Sequence, residues 1–348
     1  MAVYNGGSFL KPAIESILRQ SESRFEFLII DDGSQDGSAG MIESFKDPRI
    51  RLIRNATNRG LAASLNAGLE VARGTYIARL DADDVALPDR LALQLDFLER
   101  NPDIALLGSN AIMVDASGRR LYQSDYPCSP LAVRWTSLLQ NPFIHSTVMM
   151  RRSVLEAFSL RYDTRMSATQ DYDFWLRCLE HADGANLSIP TVCFRVHDAS
   201  ISRQRYDIQR RNTISLTGVA IKRRFERELV DAEERAAIFD AIFGSRRDAI
   251  EAGIDRVLAA NRYYDLLEAL LRQNPTGNTS ECRRRACVRV VQMVLTPPFP
   301  NGAFRLMMRS LRLDPALPFH LAGFLLFKIV QGLKQGAQVS PRTVSAGT

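Results

Sequence analysis

Along the first 200 residues, short apolar and β-branched runs alternate with stretches whose apolar positions recur every three or four residues. The runs at 25–30 (FEFLII), 49–54, 75–80, 104–114 and 147–150 read as strands. The stretches at 11–20, 61–73, 88–100, 131–139 and 170–181 read as helices, the third opened by Pro88 in its first turn. Strand–helix alternation at this rhythm predicts an α/β fold, a mainly parallel sheet with helices on both faces. Ligands bind such sheets at the carboxyl ends of the strands. Two acidic clusters, Asp31-Asp32 and Asp81–Asp84, each follow an apolar run directly, so both are expected on one rim.

Near residue 205 the pattern changes. Segments 210–228, 231–243, 248–271, 283–295 and 304–311 all read as helical, with breaks at 244–245, 274–278 and 296–302. A catalytic-type α/β domain over 1–205 and a helical C-terminal extension over 206–348 are the expectation. Charge follows the same division. Residues 1–200 hold 21 Lys and Arg against 25 Asp and Glu, whereas the remainder holds 24 against 14, giving the whole chain +6. A basic extension suits an anionic partner such as a membrane surface, a nucleic acid or a phosphorylated substrate.

Composition narrows the class. Of 348 residues, 46% are hydrophobic and 24% charged, which excludes a globally disordered chain. The five cysteines are scattered without a CxxC pair, so a zinc site is not expected and the chain reads as reduced and cytoplasmic. No secretory leader pattern opens the sequence. Residues 316–333 are the most apolar stretch but carry His320 and Lys328, so they suit the surface of a membrane better than its interior.

Four constellations carry candidate chemistry. Asp81-Ala82-Asp83-Asp84 sets three carboxylates within four residues, which repel one another unless a cation intervenes. Mg²⁺ is typically held by one or two carboxylates plus phosphate oxygens; a solvated acidic turn is the alternative. In Asp31-Asp32-Gly33-Ser34, a strand-end carboxylate can accept a base N–H while Gly33 permits close approach, or the segment is a turn leading to a helix cap. The loop at 55–68, with Asn58, offers backbone N–H groups to an anion or simply caps a helix. Gln170-Asp171 beside Tyr172, Phe174 and Trp175 places a carboxylate where burial would raise its pKa and make it a better base, though acids also favour a helix N-terminus. Two of the four histidines stand near strand candidates: His145 starts one, and His197 ends the run 192–196 and could point to the same rim.

Taken in order, Ala2-Val3-Tyr4-Asn5-Gly6, Asp31-Asp32-Gly33-Ser34, Asn58-Arg59-Gly60, Asp81-Ala82-Asp83-Asp84, His145-Ser146-Thr147, Gln170-Asp171 and Phe194-Arg195-Val196-His197 resemble the family 2 glycosyltransferases of GT-A (Rossmann-like) fold, over about residues 1–205. The resemblance implies an inverting transfer of a sugar from a nucleotide-diphosphate donor, UDP-type, to a glycan or lipid-linked acceptor in bacterial cell-surface polysaccharide synthesis. It implies that Val3 and Tyr4 line the base and ribose pocket and that Asp32, with Asp31, meets the base. Asn58 joins the nucleotide-sugar site and Asp81 lies near the ribose. Asp83 would hold Mg²⁺ or Mn²⁺, with His197 adding a metal or diphosphate contact, and Asp171 would be the catalytic base. Asp84, His145 and Gln170 are further candidates.

Two departures accompany the resemblance. The family usually begins a few apolar residues earlier, so the first strand reads as short and the start as several codons late. Gln170 stands where the family often has Glu. The resemblance leaves 206–348 unread. Arg283-Arg284-Arg285, the segment 305–312 and the apolar stretch 319–330 suggest docking at the inner membrane face. Nucleic acid is not expected, since the basic residues lack aromatic interleaving. Two other readings are a catalytically silent glycosyltransferase-like binding protein and a sugar-phosphate nucleotidyltransferase, for which Gly6-Gly7 with Lys11 is a poor match.

Overall fold

A computed structural model of the chain describes residues 1–198, 200, 204–243, 254–294 and 302–318. The chain divides into two compact units, Met1–Arg235 and a second beginning at Ala236. The composition break near 205 therefore does not coincide with the structural division: the helix Tyr206–Phe225 lies in the first unit.

In the first unit, β1 (Ala2–Val3), β2 (Phe27–Asp31) and β3 (Ile50–Arg54) form a parallel three-stranded sheet. The connecting helices are α1 (Leu10–Leu18) and α2 (Ser38–Ser44), with α3 (Leu61–Val71) following β3. Residues Val3, Leu10, Ile14, Ile29, Ile42 and Leu80 bury one shared apolar cluster between these layers. Burial of such side chains contributes about 1.5–3 kcal/mol each.

A second sheet runs in the order β4 (Tyr76–Ala78), β8 (Met149–Arg151), β6 (Ile104–Val114), β9 (Asp183–Arg195), β5 (Val85–Ala86), with β7 (Arg120–Gln123) against β6. Here the expected parallel rule holds only for β6 and β9; the β4–β8, β6–β8, β5–β9 and β6–β7 pairs are antiparallel. The cause at β6–β7 is local. Asp115 Oδ1 accepts from Ser117 and Arg119 N–H, and Gly118 takes φ +86°, which folds the chain straight back. The long strand β9 had been legible only at its last residues, because polar Asn186 and Ser188 and an internal Pro190 interrupt its apolar pattern.

Around this sheet lie α4 (Arg90–Arg100), α5 (Pro130–Ser137), α6 (Arg152–Ala157), α7 (Gln170–Cys178) and α8 (Tyr206–Phe225). The aromatic core between α7 and the sheet gathers Phe143, Tyr162, Phe174 and Trp175. Phe143 meets Trp175 edge-on at 6.0 Å, and Tyr162 stacks on Phe174 at 4.2 Å. A cavity of about 430 Å³, lined by Leu28, Ile77, Arg79 and Met150 among others, lies between β2 and β4.

The helix α9 (Ala232–Ile238) spans the division between the units and continues as a π-helical turn, Phe239–Phe243. In the second unit, α10 (Arg256–Arg272), α11 (Ser280–Val294) and α12 (Ala303–Leu313) pack on Tyr263, Tyr264, Leu267, Cys287 and Leu306. Arg309 pairs with Asp265 and Glu268 at 2.8 Å, and Arg285 with Glu281 at 2.9 Å. Those two cations of the basic segments are thus engaged within the unit. The expected apolar stretch 319–330 and the break at 244–245 lie outside the described residues, as does most of the break at 296–302. Among the described residues, no helix is long and apolar enough to cross a membrane.

Candidate functional site

The ends of β2 and β4 carry the two acidic clusters. Asp31 is the last residue of β2, and its Oδ1 accepts the Ser34 N–H at 3.0 Å. Gly33 between them takes φ +77°, and a Cβ there would lie 2.8 Å from the Thr57 carbonyl carbon, so this turn requires glycine. Asp32, 3% exposed, is fully occupied: Oδ1 accepts from Asn55 Nδ2 and the Arg59 N–H, and Oδ2 from the Gly60 N–H. Its carboxylate therefore folds the 55–60 loop against β2. Asn58 Oδ1 shares the Gly60 N–H at 3.0 Å, while Asn58 itself stays exposed.

The 5–7 turn is tied to the same rim. Asn5 N–H donates to Ser34 Oγ, Gly6 N–H to Ser38 Oγ and Gly7 N–H to Asp36 Oδ2. Tyr4 is half exposed here, whereas the Val3 side chain is buried in the core and its carbonyl is taken by the Asp32 N–H. Val3 can thus line a pocket only through its backbone.

After β4 the three carboxylates have different fates. Asp81 pairs with buried Arg79 at 2.5 Å and accepts from Ser146 Oγ at 2.7 Å. Burial pushes its pKa up, but Arg79 and the Ser146 hydroxyl prevail and hold it below the usual carboxylate range. Asp84 is 1% exposed; Oδ1 accepts the Arg195 N–H at 2.7 Å, and Oδ2 has no hydrogen-bond partner. Burial and the neighbouring charges of Asp81 and Asp83 raise it well above the ordinary value. Asp83 meets His197 Nε2 through Oδ2 at 3.0 Å. Its pKa is also raised, by burial and then by the Asp81 charge. The His197 ring packs on Phe9 at 5.2 Å, and the Arg195 guanidinium lies 4.6 Å over the same ring. The β9 terminus thereby closes over the Asp81–Asp84 turn.

Asp171 is the second residue of α7, and Asn141 Nδ2 donates to its Oδ2 at 2.7 Å. Burial raises the Asp171 pKa; the Tyr172 backbone N–H, then the Asn141 hydrogen bond and the Arg79 charge, oppose the rise. Thr169, which precedes the helix, sits at φ +62°, a strained conformation for a β-branched residue. Gln170 is buried with its Oε1 unpartnered. His145 Nε2 contacts Tyr162 Oη at 3.1 Å, and burial with the nearby Arg79 pushes its pKa down to about 3, so the ring is neutral. Arg79 links the two acidic groups electrostatically: it is paired with Asp81 and lowers the pKa of Asp171.

The structure thus brings Asp81, Asp83, Asp84 and His197 into direct or bridged contact, with His145 and Asp171 coupled to them through Arg79. It engages Asp32 within a loop instead of leaving it open. Sequence reading missed Arg79, Asn141, Ser146 and Arg195. Of these only Ser146 and Arg195 stood inside the motifs; Arg79 lay within an apolar run, and nothing local marked Asn141. Among the described residues no group of three or more His, Cys, Asp or Glu could by itself hold a metal ion. The Asp83–His197 pair nevertheless fits a hard divalent cation whose remaining ligands are phosphate oxygens and water.

Comparison with known proteins gives the family and the fold. The model of Glycosyl transferase family 2 matches residues 1–158. An uncharacterized glycosyltransferase of Methanocaldococcus jannaschii, MJ1057, is 38% identical over 188 residues, which are 51% of this chain and 63% of that protein. The chain therefore spans less than two thirds of that relative's length. The putative glycosyltransferase EpsE of Bacillus subtilis is 35% identical over 225 residues, 62% of this chain and 78% of its own. An Escherichia coli protein named UDP-Glc:alpha-D-GlcNAc-diphosphoundecaprenol beta-1,3-glucosyltransferase WfgD is 28% identical over 211 residues, 59% of this chain and 79% of its own. In fold, S. aureus TarS 1–349, crystallised with UDP-GlcNAc, superposes with a TM-score of 0.55 at 17% identity, covering 90% of this chain and 89% of TarS. The mixed α/β architecture with its C-terminal extension is the GT-A type, and the chain belongs to glycosyltransferase family 2.

Proposed function

We propose that the protein transfers a sugar from a nucleotide-diphosphate donor, UDP-type, to a glycan or lipid-linked acceptor in polysaccharide synthesis, with inversion at the anomeric carbon. The observation that carries this reading is the sorting of the acids after β4. Asp81 and Asp84 are tied inward by Arg79, Ser146 and the Arg195 N–H, while Asp83 turns to His197. Asp83 and His197 would then be the protein's share of the ligands of a cation that completes its shell with a diphosphate.

In this reading the acceptor hydroxyl attacks the sugar carbon as Asp171 takes its proton, and the bond to the nucleotide diphosphate breaks in the same displacement. No covalent nucleophile is required, only a base whose pKa lies nearer the working pH than a free carboxylate's, which burial of Asp171 supplies. Asp83 and His197 would hold Mg²⁺ or Mn²⁺, which neutralises the charge growing on the leaving diphosphate. The 5–7 and 33–38 turns, knitted by Asn5, Ser34 and Ser38, would form the floor for the nucleotide.

The extension would dock on an anionic membrane surface. On α12 the exposed residues Phe304, Arg305, Met308 and Arg312 share one face, with Phe304 74% exposed.

The test is thermal stabilisation by UDP, GDP, dTDP and CDP, each with and without Mn²⁺. One nucleotide stabilising only with the metal, and losing that effect in Asp83→Ala, supports the donor site. Metal-dependent stabilisation that survives in Asp83→Ala removes the metal assignment, and no stabilisation by any nucleotide removes the donor reading.

A further inference from the structure

The partner of Asp171 comes from a segment that none of the motifs contains. Asn141 lies between α5 and the strand β8, 30 residues before Asp171. Its amide is anchored at both ends. Oδ1 accepts the Phe143 N–H at 3.1 Å, so the opposite end, Nδ2, must be the one that faces Asp171, and it donates to Oδ2 at 2.7 Å. A flipped amide would lose both bonds at once.

The segment holding Asn141 is itself fixed. Asn186 Nδ2, from β9, donates to the carbonyls of Pro142 at 3.1 Å and Pro127 at 2.6 Å. Phe143, 1% exposed, packs edge-on against Trp175 of α7, one turn beyond Asp171. The loop and the helix are therefore clamped to each other by a ring contact and to the sheet by an amide. Oδ1 of Asp171 has no side-chain partner among the described residues. The charged and titratable groups around it are Arg79 after β4, Tyr162 ahead of α7 and, on its own helix, Asp173, which is paired with Arg177 at 2.6 Å.

We propose that Asn141 is the positioning residue for Asp171: by holding Oδ2 it fixes the carboxylate's rotation and leaves Oδ1 as the oxygen that receives the acceptor's proton. This rests on Asp171 acting as the base. Asn141 touches neither substrate nor reacting atoms. It acts by stabilising the ionised carboxylate, as a charge-assisted hydrogen bond does, and by removing rotational freedom.

The experiment is a carboxyl ¹³C NMR titration of aspartate-labelled protein, the Asp171 signal being assigned by its loss in Asp171→Asn. Asn141→Ala should raise the Asp171 midpoint by about one pH unit, a tenfold gain in proton affinity. Asn141→Asp keeps an acceptor for the Phe143 N–H but sets a second carboxylate against Oδ2, and should raise it further. The second variant, nearly identical in shape, decides the matter if the first does not fold. An unchanged midpoint in a folded variant overturns the proposal, since a purely structural asparagine would leave the titration where it was. Sugar transfer by Asp171→Asn separates the two readings. Loss of transfer with a shifted midpoint supports both. Retained transfer removes the base, and this role with it, whereas loss of transfer with an unshifted midpoint removes Asn141 alone.

Discussion

Burial shifts Asp171 and His145 in opposite directions, and that difference sets what can be measured. Burial raises Asp171 above the ordinary carboxylate value, and a base must be ionised to act. Transfer should therefore fall as pH drops through that raised pKa, giving an acid limb above the pH at which a free aspartate titrates. Asp171→Asn should leave donor binding within about twofold and cut turnover by about 10²–10⁴; separate measurement of nucleotide affinity and transfer rate checks the split. His145 works in the opposite sense. Its pKa is depressed from 6.5 to about 3, so the unfolded chain binds the proton more tightly than the folded one. The stability this contributes is present above pH 6.5 and is lost as pH falls toward 3. Between pH 7 and 5 the loss should be on the order of 2 kcal/mol, and urea unfolding at the two pH values should show a flatter dependence in His145→Gln.

At the scale of elements, the contact between β6 and β9 governs the site from a distance. Gly108 of β6 faces Asn186 of β9 so closely that a Cβ would stand 2.1 Å from Asn186 Oδ1 and 2.8 Å from the Phe143 ring. Asn186 holds the Pro142 carbonyl, and Phe143 abuts α7 through Trp175. Gly108→Ala should therefore cost about 1–3 kcal/mol of stability and displace the 141–143 segment. Denaturant melts would show the first effect and a reduced transfer rate at unchanged donor affinity the second. In the first sheet, β2 was legible as the continuous apolar run at 25–30 and α1 by the four-residue spacing of Leu10 and Ile14, whereas the short helix α2, with only Ser38 and Ile42 buried, went unread. β9 was legible only over 192–196, since its pairing on both sides buries polar Asn186 and Thr191 through hydrogen bonds that only the neighbouring segments supply.

At the scale of the whole molecule, charge is divided along the chain, and the second unit carries its basic residues in two conditions. Arg285 and Arg309 are neutralised by acids of their own unit, while Arg305 and Arg312 stay exposed beside Phe304 and Met308. Binding to vesicles rich in anionic phospholipid should therefore be weak and salt-sensitive, and absent from neutral vesicles. Co-sedimentation at low and high salt checks this, and Phe304→Ser combined with Arg305→Gln should reduce it severalfold. Equal binding to neutral vesicles would argue against the charged face.

The sequence by itself determined the strand–helix alternation, the placing of Asp31-Asp32 and Asp81–Asp84 at strand ends, and the motif order that marks the family. These are local properties: periodicity, glycine at a turn, acids after an apolar run. Only the tertiary structure decided which partners each carboxylate has. Asp32 is consumed by the Asn55, Arg59 and Gly60 donors, Asp81 by Arg79 and Ser146, and Asp84 by the Arg195 N–H, 111 residues along the chain. The fate of a buried carboxylate depends on the donors around it and on its distance from water, and those are set by segments far apart in sequence. For that reason Asn141, with no motif to announce it, becomes the partner of Asp171 only once α7 has docked on the 141–143 loop.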